Sequence, residues 1–280
     1  MRVAVLLSGQ MRTFDEPALL QHYFEHLFEP LNADIFVSTW TQRGYSYNHG
    51  AGALDRQDDI ITNNMLEAAY KDRLKAVEIE SLSEFEATLS DEYREIYTTG
   101  FEWSGMKIKG TSVPQFYKMW QVNQLKRSYE QQHNFTYDLV IRARPDLDMV
   151  APLDPRYMTD LDTTLYHINC PGTFWNYRVY DIFFYSSSKN MDIMASAYYN
   201  IPALEQVPFH NGLHPRDACR LLFIMALAGK MKVVDMDYNP CFIMRTSTSS
   251  TPASVDVPRA ASDTVADSSQ TPPQPVAEPS

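Results

Sequence analysis

Residues 3–7, VAVLL, form an unbroken apolar run, and residues 34–40, DIFVSTW, form a second. A run without alternation is the pattern of a strand covered on both faces. Between the two, Leu19, Leu20, Tyr23, Phe24, Leu27 and Phe28 recur at helical spacing. Asp15 stands as the N-cap of that helix, Pro17 falls at or near its first position, and Pro30 ends it. Strand, helix and strand joined by short links make a βαβ unit, which is parallel and right-handed. The chain is therefore committed to an α/β sheet with helices on its faces, and ligands of such sheets bind at the carboxyl ends of the strands.

The remaining patterns extend that architecture. Helices are expected near 65–74, from Ser83 with Glu86 as the partner of a capping box, and at 113–132, 190–199 and 217–228. Strands are expected at 76–80, 139–143, 163–168, 181–185 and 231–235. Phe116, Met119, Trp120 and Leu125 mark the inward face of helix 113–132, and Tyr117, Lys118 and Gln121 read as ordinary core or surface positions near its start. Residues 41–64 form a polar link with Gly44, Gly50 and Gly52, long enough to be functional or mobile. Residues 100–110, with Trp103, and 171–178, with Trp175 and Tyr177, read as loops, as does the polar segment 210–215. From Thr246 the chain lacks aromatics, Leu, Ile and Met, and it holds 6 of the 17 prolines. Such a segment cannot offset its ordering entropy, so 246–280 is expected to be a disordered tail after a domain of residues 1–245.

The chemistry concentrates in residues 137–149, YDLVIRARPDLDM. Arg142 and Arg144 close a buried strand that Pro145 cannot continue, and Asp146 and Asp148 follow. In an extended segment residues i and i+2 point the same way, so both carboxylates are expected to share one side and to hold Mn²⁺ or Mg²⁺. The arginines beside them suit phosphate oxygens. At the end of the first strand, Ser8, Gly9, Gln10 and Arg12 add a turn where a backbone can approach a ligand closely, although an ordinary strand-to-helix turn would look the same. The seven histidines show no metal-site spacing, and His22 and His26, four apart on the first helix, read as surface residues.

A metal held there would clamp a nucleotide diphosphate and stabilise charge on the leaving group. Transfer of a sugar from it with inversion needs a base, for which Asp181, Asp217 and Asp154 qualify. Asp181 opens a strand after the aromatic loop and ranks first. Asp217 lies in a first helical turn, where an acid is favoured anyway.

Other classes are weighed against this. A net charge of −11 with no basic run argues against a nucleic-acid partner. No GxxxxGK[ST] or GxGxxG occurs, and a phosphatase-type Asp-x-Asp would follow the first strand, which here ends in Ser-Gly-Gln. A metal-dependent nucleotidyl- or phosphoryl-transferase remains an alternative. So does a non-catalytic carbohydrate-binding module stacking sugars on Trp103, Trp175, Tyr177 and Tyr180. Cys170, Cys219 and Cys241 form no CxxC pair, and an odd count fits a reducing compartment. The opening apolar run is too short for a signal-peptide core and no stretch reaches the ~20 residues of a membrane span. The expected location is the cytoplasm, that of the host for a viral chain.

In order, VAVLLSGQMRTF, ADIFVSTW and YDLVIRARPDLDM resemble the small GT-A-type glycosyltransferases of bacterial surface-polysaccharide clusters and large algal viruses. YDIFFYSSSKNM and HPRDACRLLFIMALAGKMKV resemble that family's acceptor-side half, so the likeness spans roughly residues 2–245. It implies a GT-A-like single domain with a Rossmann-like nucleotide-binding half and a mixed central sheet. It also implies a UDP-sugar donor, UDP-xylose foremost, and a glycan or glycoprotein acceptor. Carried over residue by residue, Ser8, Gly9, Gln10 and Arg12 would hold the nucleotide and Arg142 and Arg144 the diphosphate. Asp146 and Asp148 would be the DxD pair, with Asp148 the direct ligand. Related sequences often carry Asn-Asp at Tyr180-Asp181 and a Glu near Asp217, which leaves the choice of base open.

Overall fold

The structure, a computed structural model, describes residues 1–44, 59–103, 106–108, 110, 112–168, 177–209 and 213–243. The chain opens with β1 (Val3–Gly9), α1 (Pro17–Tyr23), a wider π turn over Phe24–Phe28, and β2 (Asp34–Trp40). Then come α2 (Asn63–Tyr70), β3 (Leu74–Glu80), α3 (Leu82–Thr88), α4 (Asp91–Thr99) and a short hairpin of β4 (Phe101–Trp103) and β5 (Met106–Ile108). The long α5 (Ser112–His133) leads into β6 (Leu139–Ala143) and β7 (Leu147–Met149). The second half holds β8 (Thr164–His167), β9 (Phe183–Ser186), α6 (Ser188–Ala195), α7 (Ala197–Glu205), α8 (Ala218–Ala228), β10 (Lys232–Asp235) and β11 (Cys241–Ile243).

The expected α/β fold with a mixed central sheet is present. Seven strands lie in the order β10-β8-β9-β6-β1-β2-β3. The block β6-β1-β2-β3 is parallel throughout, and β9 runs antiparallel to both β6 and β8. Because β8 and β10 are parallel to each other, β9 alone is reversed in this sheet. Its first residues thus stand at the carboxyl edge of the other six strands. Alternate side chains feed two cores. Val5, Leu7, Ile35, Val37 and Ile141 pack with Leu19, Tyr23 and Tyr70 on one face; Ala4, Leu6, Phe36 and Val140 pack with Phe116, Ile201 and Leu222 on the other.

Several local expectations are corrected. Asp15 does not cap α1. Both its oxygens take the Arg43 guanidinium, at 2.6 and 2.9 Å, and the N-cap is Glu16 without a side-chain bond. The capping box at Ser83 does not form either: the helix begins one residue earlier after Ser81, whose hydroxyl meets that of Ser83 at 2.8 Å. The loop expected over 100–110 contains the β4–β5 hairpin, and the single helix expected over 190–199 is the pair α6 and α7. Lys118 is fully buried. Its ammonium lies 3.1 Å from the Glu80 carboxylate and 2.8 Å from Gln121 Oε1, and it sits 4.0 Å from the centre of the Trp40 ring. Residues 246–280, Cys170, Trp175 and the side chain of Trp103 lie outside the described residues. No helix among those described is long and apolar enough to cross a membrane.

Candidate functional site

The chain leaves β1 toward β2 on one side, while β6 pairs on the other side of β1. That makes the β1/β6 boundary the switch point of the sheet, where a crevice opens beyond the carboxyl ends. A cleft of about 240 Å³ lies there, lined by Ser8, Gly9, Gln10, Arg12, Arg142, Arg144, Pro145 and Asp181, with Trp40, Leu82, Tyr97, Pro114 and Gln115.

Local structure explains how each polar group arrives. Register carries Ser8 and Gly9 just past the Leu7↔Ala143 pair, level with the turn that holds Arg144. Gly9 has φ 111°, which an L side chain rarely adopts, and a Cβ built on it meets no atom within 4 Å. Arg12 is held at φ 43° by a clamp: its N–H donates to Arg43 O at 3.1 Å, and Arg43 Nη1 donates back to Arg12 O at 2.7 Å. The Arg144 N–H donates to Ile182 O at 3.0 Å, which fixes the start of β9, and with it Asp181, beside the end of β6.

Asp146 has no exposure and gathers two arginines. Arg144 Nε donates to its Oδ1 at 2.8 Å, while Arg144 Nη2 and Arg12 Nη1 donate to its Oδ2 at 2.6 and 2.9 Å. Burial by itself would raise this carboxyl; the charges and hydrogen bonds of Arg144 and Arg12 outweigh it and hold the group at about 2. Arg12 Nη2 also donates to Gln10 Oε1 at 3.0 Å. Arg142 is 2% exposed. Its Nε reaches Ser8 Oγ at 3.4 Å, and its Nη1 is buried without a hydrogen-bond partner. Burial pushes Arg142 down to about 10, against the pull of Asp181, so it is charged at neutral pH. Three arginines against Asp146 and Asp181 leave the site one positive charge in excess, on a chain of net −11.

Asp181 faces the cleft with both oxygens engaged. Gln115 Nε2 donates to Oδ2 at 2.6 Å, and the Cys219 thiol approaches Oδ1 at 3.6 Å. Burial, reinforced by Asp181 and Asp217, pushes the Cys219 thiol well up, so it stays protonated and serves as a donor. Pro114 and Gln115 belong to the first turn of α5, whose dipole adds positive potential at the cleft.

The other residues singled out from the sequence lie apart. Pro145 and Asp146 form a turn, so the extended geometry that would align Asp146 with Asp148 is absent. Asp148 instead bonds His22 Nδ1 at 2.6 Å, across to α1, and lies outside the cleft lining. Asp217 also lies outside it and caps α8, its Oδ1 accepting from the N–H groups of Cys219 and Arg220 at 2.9 and 3.2 Å. Burial raises its carboxyl. Asp154 caps a short 3₁₀ turn and pairs with Arg156. Tyr177 is 64% exposed and meets Phe209 and Phe223 edge-on.

The fit of a divalent cation to the DxD pair can be judged from these bonds. Asp146 has both oxygens committed to guanidinium groups, and a dication on it would sit among like charges. Among the described residues no three His, Cys, Asp or Glu side chains converge on one point. As arranged, Asp146 gives both oxygens to guanidinium groups and Asp148 gives one to His22.

Sequence reasoning missed Trp40, Leu82, Tyr97, Pro114 and Gln115. Trp40 carried a usable signal, since it ends β2 and therefore shares an edge with Gly9 and Arg144. The class defined by fold and site is an α/β protein with an arginine-lined crevice at its switch point. The chain matches no protein-family model and no curated protein.

Proposed function

We propose that this chain is an inverting glycosyltransferase that moves a sugar, xylose foremost, from a UDP-sugar to a hydroxyl of a glycan acceptor. The observation that carries the reading is Arg142: a buried guanidinium with an unpartnered Nη1 lining a cleft at the switch point, beside Arg12 and Arg144. A buried donor left unpaired calls for an explanation, and beside two further arginines a bound anion supplies one. Trp40, Leu82, Tyr97 and Pro114 supply an apolar wall suited to a planar base or a sugar face. The sequence resemblance over residues 2–245 supports the same reading and adds the donor class.

In this reading the diphosphate lies against Arg142, Arg144 and Arg12. As the acceptor oxygen bonds to the anomeric carbon, the bond from that carbon to the diphosphate oxygen breaks. The electron pair leaves with UDP, where the guanidinium groups stabilise the growing charge. Asp181 accepts the acceptor proton, its carboxylate aimed by Gln115 and Cys219. The attack comes from the face opposite the leaving group, which inverts the anomeric centre.

The test is a panel of UDP- and GDP-sugars assayed for nucleotide release and for the anomer formed, with Asp181→Asn alongside wild type. One UDP-sugar is expected to turn over with inversion. Asp181→Asn should bind that donor unchanged and lose about 10²- to 10⁴-fold in transfer. Absence of binding by every nucleotide would sink the reading and bring the carbohydrate-binding module forward.

A further inference from the structure

The role of the Asp-x-Asp stretch follows from counting its acceptors. A carboxylate offers about four lone-pair sites, and Asp146 already receives three guanidinium N–H bonds. The Arg144 bonds are bidentate, one to each oxygen, which fixes the plane of that guanidinium. Arg12 arrives from the turn after β1, so Asp146 ties the two sides of the switch point together. Asp148 turns to His22 on α1 and is not among the residues lining the cleft. What the cleft does present is guanidinium. Arg142 lines the cleft and keeps one buried donor, Nη1, without a hydrogen-bond partner, and Arg12 and Arg144 are held there by a carboxylate that cancels one of their two charges.

We infer that this site neutralises its phosphate-bearing ligand with arginine alone: Asp146 is a clasp that positions Arg12 and Arg144 and is not a cation ligand, and Arg142 takes a phosphate oxygen directly. This rests on the proposed nucleotide-sugar reading and changes its chemistry. The ligand class is a diphosphate ester bound without a divalent ion. Guanidinium suits the task because its planar fork keeps full charge when buried and matches phosphate geometry. Asp146 and Gln115 are positioning residues here, since they act through Arg12, Arg144 and Asp181.

The experiment is calorimetric binding of UDP, inorganic pyrophosphate and uridine to the full chain, each in EDTA and in Mn²⁺, with the electron paramagnetic resonance signal of Mn²⁺ followed in parallel. UDP and pyrophosphate are expected to bind equally, within about threefold, in both conditions, with no protein-dependent loss of the free Mn²⁺ signal. Losing one charge-assisted bond predicts that Arg142→Met weakens UDP about ten- to a hundredfold in EDTA and leaves uridine unchanged. Asp146→Asn, checked for folding by circular dichroism, should weaken UDP by the same factor with and without Mn²⁺. Binding of UDP only when Mn²⁺ is present would overturn the inference and leave the glycosyltransferase reading intact. Metal-free binding of pyrophosphate with no binding of UDP would keep the arginine clasp and remove the nucleotide. Failure of both ligands in both conditions would end both proposals.

Discussion

Asp146 is where burial and charge compete most sharply, and the outcome sets a pH dependence. Its folded value of about 2 lies below the ordinary 3.8, so the group contributes stability above pH 3.8 that is lost as pH falls toward 2. The full shift corresponds to about 2 kcal/mol, of which about 1 kcal/mol is lost between pH 5 and pH 3. Urea unfolding of wild type and Asp146→Asn at those two pH values should show the variant missing that share of the slope; equal slopes would mean that Arg12 and Arg144 do not hold the carboxylate in solution. That Arg142, Arg144 and Asp146 gather here was legible from RARPDLD following a buried strand, whereas Asp148 turns away to His22. Their pairing was not. The i, i+2 argument assumes an extended backbone from Asp146 on, but the turn holds both Pro145 and Asp146 and the strand begins only at Leu147. His22 was invisible as a partner for the same kind of reason, since the Asp148 contact spans 126 positions of sequence.

Elements were read more securely than their ends. The βαβ opening and α8 lie where periodicity put them, because a long apolar stripe has few ways to be buried; α5 also falls in place, although Trp120 and Leu125 are only half-buried and Lys118, Asn123, Lys126 and Glu130 share its buried face. Caps fared worse: a capping residue is chosen by one hydrogen bond, and Asp15 had a stronger offer from Arg43. Asp217 is the opposite case, a candidate base that proves to bond two N–H groups at the start of α8. Asp217→Ala should therefore cost about 1 kcal/mol in chemical denaturation, and Asp217→Asn, which keeps the acceptor, should cost little and leave transfer intact. Loss of transfer in a stable Asp217→Asn would restore the carboxylate to the chemistry. Lys118 teaches a related lesson. A lysine near a helix start is usually solvated, yet here Glu80 and Gln121 let α5 bury it against β3, where burial lowers it to about 8.

At the scale of the molecule, one sheet separates two cores and makes them depend on each other. Leu6 faces the core shared with α5, α7 and α8, and Leu7 the core shared with α1 and α2. Leu6→Ala should cost about 2–5 kcal/mol. It should also shift one transition seen identically by far-ultraviolet circular dichroism and by tryptophan fluorescence; separate transitions would show that the faces unfold apart. The reversed strand is the feature of the whole that matters most for the site. With β9 parallel to its neighbours, Asp181 would lie at the opposite edge, away from Arg142 and Arg144. By itself the sequence determined the α/β class, the buried strands and the gathering of Ser8, Gly9, Gln10, Arg12, Arg142 and Arg144 at one sheet edge, because those follow from periodicity and strand polarity, which are local. The tertiary structure alone decided which charges neutralise each other and which buried guanidinium keeps an unpaired donor. Those choices are settled by contacts between residues far apart in the chain, whose distances no local pattern contains.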